Sequence, residues 1–379
     1  MKKLLLILLC LPMVVLAQQT YVPDAYFEVY LEANGMGNGI PNDEYVATAN
    51  INTVTYLDIS NQFISDLTGI EGFTSLTYLD CGSNQLSTLY VSNNTSLSSL
   101  YCDDNQLTSL DITQNANITN LFCHNNQLTD LYTDNTALVL MDCNSNQLTS
   151  LDVSQNTNLS TLYCHTNQLT FLNLSGATSL DTLICYTNQL TNLNLSNNVG
   201  LTHLLAMNNQ LTSLDISQNS ALITLSFSNN QLTNIDVSNN LFLTLLNCHS
   251  NQLISIDVSS NTALTYLNCD DNQLANIDVR NGNNIFIDSN FYCINNPNLY
   301  CIDVDNVAWS TANWTVANGN IDLQHSFSTN CNPSAIQEHT TNKELLTVTD
   351  LLGRKTKKTN QPLFYIYDDG TVEQRIIIE

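Results

Sequence analysis

The stretch Leu97 to Asn117, LSSLYCDDNQLTSLDITQNAN, decides how the chain is read, because most of what surrounds it is the same phrase repeated. Its Asn-Gln-Leu signature recurs with the Asn at Asn84, Asn105, Asn126, Asn146, Asn167, Asn188, Asn209, Asn230, Asn251 and Asn272. Each step is 21 residues, except the 20 between Asn126 and Asn146. A fixed period of this length marks units that cannot fold alone and bury a shared core by stacking, which is a solenoid. Within the phrase, alternation puts Leu100 and Cys102 on the inner side of a short strand and Tyr101 on the outer side. Leu110 and Ile112 do the same around Asp111 on a second strand. Each unit is expected to hold two short strands and no helix, stacked parallel on its neighbours at ~4.8 Å.

Composition narrows the partners. The chain has 379 residues, 43% of them apolar and only 11% charged, with a formal net charge of -25. No Lys or Arg occurs between Lys3 and Arg280, so the repeats cannot neutralise phosphates, and nucleic acid and anionic lipid are set aside. Residues 1–17 carry Lys2 and Lys3, an apolar run from Leu4 to Leu16 and a small residue at Ala17, the pattern of an export signal cut after Ala17. No other stretch approaches the ~20 apolar residues of a membrane span, so no insertion is expected once the signal is removed. Residues 18–53 break the beat and are expected to cap the open end. Pro23-Asp24 followed by AYFEVYLEA predicts a short helix opened by the proline and stopped at Asn34-Gly35. A first unit starts at Val54 and reaches Leu76 after 22 residues.

The unit pattern LxxLxCxxNQLxxLxVxxNxx, followed from Val54 to about Val304, resembles the leucine-rich repeat in a nested form, and the 22-residue first unit resembles its internalin-like variety. The resemblance implies a mostly β fold: a solenoid of short parallel strands over 54–284, with an N-terminal helical cap and a C-terminal cap over 285–331. Asn105 and its equivalents follow the first strand where the chain turns inward, so their amides are expected to satisfy backbone groups that the turn leaves unpaired. Asn94, Asn115, Asn156, Asn198, Asn219, Asn240 and Asn261 are expected to do the same in the second half of the unit.

Cys81, Cys102, Cys123, Cys143, Cys164, Cys185, Cys248 and Cys269 all fall on one inner position, taken by Ala206 and Phe227 in two other units. Interchange with Ala and Phe marks packing. Thiols there behave as small apolar groups, and side chains projecting in parallel from in-register strands suit a disulfide poorly, although occasional bridges between adjacent units stay open. A metal at Cys123-His124, Cys164-His165 or Cys248-His249 fails on geometry, because adjacent strand residues face opposite sides. Cys293 is expected to continue the ladder. Cys301 and Cys331 lie in an irregular segment of an exported chain and are expected to bridge.

Information about a partner must sit in outward columns that vary from unit to unit. One column contains Tyr101, Phe122, Tyr163 and Ile184; the neighbouring one contains His124, His165, Tyr186 and Met207. These eight residues form the candidate binding surface, since an aromatic and apolar strip usually marks an interaction site. The bland alternative is that rings simply suit an exposed parallel sheet. On the second strand, Asp111, Asp152, Asp215, Asp236, Asp257 and Asp278 share one outward column. Either Ser217, Ser238, Ser259 and local amides absorb the charge by hydrogen bonding, or a divalent cation such as calcium sits along Asp215, Asp236, Asp257 and Asp278.

Beyond Arg280 the beat dissolves, and Trp309 and Trp314 are expected to be core of the closing cap. A polar linker follows over 332–344. The tail, 345–379, reads LLTVTDLLGRKTKKTNQPLFYIYDDGTVEQRIIIE, a sharp change of composition. It resembles the C-terminal sorting domain of type IX secretion substrates through Asp350, Leu352, Gly353 and Arg354, then LFYIY, Gly370 and Arg375 before the terminal isoleucines. That resemblance implies a small β module, passage across the outer membrane with the help of the type IX machinery, and release or display at the cell surface. The reading is a secreted or surface-displayed binding or adhesion protein that recognises protein or glycan. The alternative is a self-assembling coat or stalk. An enzyme is not expected: no nucleophile elbow, acid–base pair, metal-spaced cluster or phosphate loop stands out, and no cofactor is implied.

Overall fold

In the computed structural model residues 18–134, 137–331, 345–349, 355, 362–367 and 372–376 are described. Each repeat places a three-residue strand where the period-two alternation falls, and the same three residues pair with their equivalents in the units before and after. Leu100, for example, aligns with Leu79 on one side and Leu121 on the other. The result is one parallel sheet of twelve strands running from Tyr56–Asp58 to Phe291–Tyr292.

The second half of the unit is less regular than two strands per coil would require. Strands occur there at Ser109–Asp111 with Asp130–Tyr132, at Ser150–Asp152 with Phe171–Asn173, and in a four-stranded group that begins at Ser255–Asp257. Among the described residues this face forms no strand between Asn173 and Ser255. Stacked coils that rotate from one to the next can hold the ~4.8 Å strand spacing along one face while losing it on the other. The expectation of a second strand in every unit is corrected accordingly.

Inside, the leucines of both halves are buried. So are Cys81, Cys102, Cys123, Cys143, Cys164, Cys185, Cys248, Cys269 and Cys293, with Ala206 and Phe227 in the same file. These nine thiols are free packing groups, and burial pushes eight of them up, Cys185 to about 12, which keeps those eight protonated. Cys301 and Cys331 are each disulfide-bonded.

Two files of asparagine tie the units together. Asn105 Nδ2 donates to Cys81 O (3.0 Å), Cys102 O (3.3 Å) and Asp103 O (3.1 Å), while its Oδ1 accepts from the Leu86 amide of the preceding unit (2.9 Å). The pattern repeats down the ladder and extends beyond Asn272 to Asn296, whose Oδ1 accepts from Leu274 N at 3.1 Å. The residue before each of these Asn side chains has a left-handed backbone, with φ of 51° at Asp104 and 55° at Thr166. That conformation is unfavourable for a β-branched residue, and the amide that follows it fixes the reversal. In the second file, Asn219 Nδ2 donates to Leu195 O (3.1 Å) and Asn198 O (2.8 Å).

Both ends of the stack are covered. The helix Ala25–Ala33 is capped by Asp24, with Pro23 outside it, so the carboxylate rather than the proline opens it. Asp24 Oδ1 accepts from the amides of Tyr26 and Phe27 at 3.0 Å, and Oδ2 accepts from Ser65 N at 2.8 Å, which joins the cap to the first unit. Phe27 then packs against Phe73, ring centroids 6.3 Å apart. At the far end Trp314 is fully buried, 4.1 Å from the Phe291 ring and edge-on to Trp309, and its indole donates to Asp288 O at 2.7 Å.

The chain divides into two units after Asn330. The second contains an antiparallel sheet of Leu345–Thr349, Pro362–Tyr367 and Val372–Ile376, the middle segment pairing with both others. Arg375 lies in the last of these strands. Asp350, Leu352, Gly353, Arg354 and Gly370 fall outside the described residues, as does the whole of 1–17. No helix among the described residues is long and apolar enough to cross a membrane.

Candidate interaction surface

The twelve-stranded sheet presents three outward positions per unit: the first and third residues of each strand, and the residue after the buried file of cysteines. Sorting the sequence by column finds Tyr101 and Phe122 at the third position, and the structure stacks them, centroids 4.6 Å apart and planes 8° from parallel. Column sorting misses what they join. Tyr56 and Tyr78, at the first position of the two preceding strands, stack at 4.5 Å, and Tyr78 meets Tyr101 at 5.3 Å. Four rings thus run continuously over four units by stepping from one column to another. Only Tyr56, at 60%, is strongly exposed; Tyr78, Tyr101 and Phe122 are half-buried against one another. Burial, followed by the Asp80 carboxylate, pushes the Tyr78 phenol up to about 12, so it stays a neutral donor.

The remaining expected residues do not extend this stack. Among the described residues no ring contact links Phe122 to Tyr163. The unit between them puts Asp142 in the column, its Oδ1 accepting from the Asn144 amide at 3.2 Å. A second, separate pair follows where His165 stacks on Tyr186 at 4.3 Å. Burial lowers the basicity of His165, against the pull of Asp142, so the ring is held toward its neutral form. Tyr163, Ile184 and Met207 are half-buried beside that pair. The strip is therefore two patches parted by an acidic unit, not one run.

His124 stands at that parting. Its Nε2 lies 3.8 Å from Asp103 Oδ2 and its Nδ1 3.7 Å from Asp142 Oδ2, distances for an ion pair when the ring is protonated and too long for hydrogen bonds. With Asp103 and Asp104 it makes the only group of three potential metal ligands among the described residues, the donor atoms lying within 4.8 Å of one another.

On the other face the aspartates are engaged locally. Asp215, Asp236 and Asp257 each accept from the amide of the serine two residues on, at 2.9 Å in all three, and Asp111 does the same with Thr113. Asp278 is held instead by Arg280, whose Nε donates to Oδ1 at 2.9 Å. The Ser217 amide and hydroxyl hold Asp215 below the usual carboxylate range, the Ser238 hydroxyl and amide do so for Asp236, and the Arg280 side chain for Asp278. Asp215, Asp236, Asp257 and Asp278 do not assemble into a group of three ligands.

No protein-family model matches this chain, and no curated protein does. Among solved structures it is similar to the functional domain of InlJ from Listeria monocytogenes, a domain that includes a cysteine ladder. Identity is 35% and the TM-score 0.65, over 76% of this chain and 68% of that one. An internalin, InlF, from the same organism is similar at 21% identity and a TM-score of 0.53, covering 82% of this chain and 96% of that one. A leucine-rich repeat protein from Leptospira interrogans is similar at 20% and 0.52, over 74% and 85%. The latter two likenesses concern the fold alone.

Proposed function

The chain belongs to the bacterial leucine-rich repeat family, and on that premise we propose that it is an exported protein-binding protein whose partner docks on the twelve-stranded sheet. The observation that carries the reading is the four-ring stack Tyr56, Tyr78, Tyr101 and Phe122 on a face built from consecutive in-register strands. Clustered aromatics on a rigid platform are the usual anchors of protein recognition, because they bury large area with little loss of side-chain freedom. The second patch, His165 and Tyr186 with Tyr163, Ile184 and Met207, supplies the far edge of the same footprint. Both Asn files are engaged in holding the backbone, which leaves the outward columns as the source of specificity. Replacing Tyr101, Phe122 and Tyr163 together by Ala is expected to keep the melting midpoint within a few degrees while abolishing capture of the partner found by a protein-binding screen. Unchanged capture would remove the strip from the binding surface.

Export is the second part of the proposal. Residues 1–17 act as the signal, 18–53 and 285–331 cap the solenoid of 54–284, and 332–344 link it to a type IX sorting module at 345–379. The three antiparallel strands at Leu345–Thr349, Pro362–Tyr367 and Val372–Ile376 support a small β module of that kind. The bonded state of Cys301 and Cys331 suits an oxidising compartment. Deleting 345–379 is expected to leave the protein in the periplasm of a type IX-competent host, judged by fractionation; secretion of the truncated chain at the normal level rejects the sorting role.

A further inference from the structure

The ring stack is bordered by carboxylates. Asp58 and Asp80 end the strands that carry Tyr56 and Tyr78, and Asp103 follows Tyr101 by two residues in the next unit. Gly82, two residues after Asp80, holds the place that Asp103 takes in the next unit, and it is the one member of that outward column without a side chain. A Cβ built on Gly82 would stand 3.2 Å from Asp80 Oδ1, 3.2 Å from Asp103 Oδ1 and 3.3 Å from Asp103 Oδ2. Two carboxylates from neighbouring units thus face one another across a residue that puts no side chain between them.

Their surroundings offer little to balance them. No Lys or Arg exists between Lys3 and Arg280. The Gly82 amide donates to Asp80 Oδ1 at 3.0 Å, the Tyr78 hydroxyl also bonds the Asp80 carboxylate, and the His124 ring approaches the outer side of Asp103. Burial, and then the like charges of Asp58 and Asp103, push the Asp80 carboxyl up despite that amide and the Tyr78 hydroxyl. Burial pushes Asp103 up as well, with His124 opposing and Asp104 and Asp142 adding to the rise. Half-desolvated anions that repel one another are relieved by a cation brought from outside.

The flanking rings decide which cation. A guanidinium is planar, weakly hydrated, stacks on aromatic faces and presents a fork of donors to carboxylates, whereas an ammonium is a strongly hydrated point charge. We propose that the slot over Gly82 receives an arginine of a basic, extended segment of the partner protein. The guanidinium lies against the Tyr78 and Tyr101 rings and donates to Asp80 and Asp103. The proposal rests on the reading that a protein docks on this sheet, and it specifies the chemistry of that partner: a cationic segment, complementary to a run of repeats that holds no Lys or Arg before Arg280.

The test uses the full mature chain and a fluorescein-labelled peptide, GSRTRTRSG, with lysine and glutamine replacing arginine in two control peptides. Anisotropy is read at about 150 mM salt, where the screening length of about 8 Å suppresses diffuse attraction. The arginine peptide is expected to bind at least tenfold more tightly than the glutamine one and severalfold more tightly than the lysine one. Asp80→Asn with Asp103→Asn should remove that tenfold, while Asp236→Asn with Asp257→Asn, the same charge change on the opposite face, should alter affinity less than twofold. Equal losses from the two pairs, or no preference for arginine over glutamine, overturn the slot. Both Asn pairs keep side-chain shape, and a melt confirms folding. If the partner from the screen ignores the Asp80 and Asp103 pair yet is lost on the triple ring replacement, the slot fails and the docking reading stands. If arginine binding needs the pair while the triple replacement leaves capture unchanged, the docking reading fails instead.

Discussion

The two faces of the solenoid use the same residues under opposite electrostatic rules. On the continuous sheet, Asp80, Asp103 and Asp270 are pushed up by burial, Asp270 to about 6. On the interrupted face, Asp152, Asp215, Asp236 and Asp278 are held down: serine amides and hydroxyls act on the first three, although burial opposes them at Asp152, and Arg280 acts on Asp278. The asparagines differ in the same sense. Along the continuous sheet each ladder amide both donates and accepts, as Asn209 does toward Cys185 O (3.1 Å), Ala206 O (3.2 Å) and the Leu190 amide (3.0 Å). In the second file Asn219 donates twice, while its Oδ1 is buried without a partner. One face is therefore held rigidly by its backbone and leaves its charges strained, whereas the other relaxes its charges and leaves its backbone loosely tied. A surface that keeps unrelieved charge on a stiff frame is suited to recognition.

The largest expected consequence concerns the asparagines. Asn209→Ala strands three buried backbone groups and Asn219→Ala two, and each such group costs about 1–3 kcal/mol. The first replacement is expected to lower the urea unfolding free energy by about 4 kcal/mol, and the second by about 2 kcal/mol, at the 1–3 kcal/mol per stranded group used above. Equal losses would show that the two files share the work.

A smaller effect is expected from pH. Asp270, with a folded value of about 6 against an ordinary value near 3.9, binds its proton earlier in the native state than in the unfolded chain, so its contribution is lost as pH rises through 6. The lowered aspartates of the other face contribute above their ordinary range and lose that contribution as pH falls through their folded values. The raised aspartates should accordingly lift melting midpoints from pH 7.5 to about 5, against the opposite pull of His165 and His325, whose basicity burial lowers, and midpoints should fall below about 4. Asp270→Asn should flatten the upper limb and leave the lower one. A profile unchanged by Asp270→Asn between pH 7.5 and about 5 would contradict the contrast between the faces.

Much of this was legible in the chain itself. Leu100, Cys102 and Asn105 recur because each has a fixed place in a stacked coil, and burial with backbone satisfaction leaves few alternatives for such places. The outward residues obey no such constraint. Tyr78 and Tyr101 stand in different columns and meet only because side chains lean across the gap between strands, so sorting by position concealed their stack and overstated the link from Phe122 to Tyr163. Gly82 brings no side chain to its column, and its meaning lies in the carboxylates that the fold sets on either side of it. The second face loses its strands between Asn173 and Ser255, a feature of the stacking that the repeat length does not encode. The continuation of the ladder to Asn296 could have been found by following Asn-Pro in NNPNLYC as a variant of Asn-Gln.

The capping amide also works as a measuring device. Asn105 and Asn126 reach a backbone donor 19 positions back, Asn146 reaches 18 back, and Asn296 reaches 22 back, with bond lengths of 2.9 Å for the first three and 3.1 Å for the last. Every gain or loss of length is therefore absorbed in the half of the coil away from the continuous sheet. A lineage carrying this design can copy, trim or pad its coils, and the continuous sheet stays in phase.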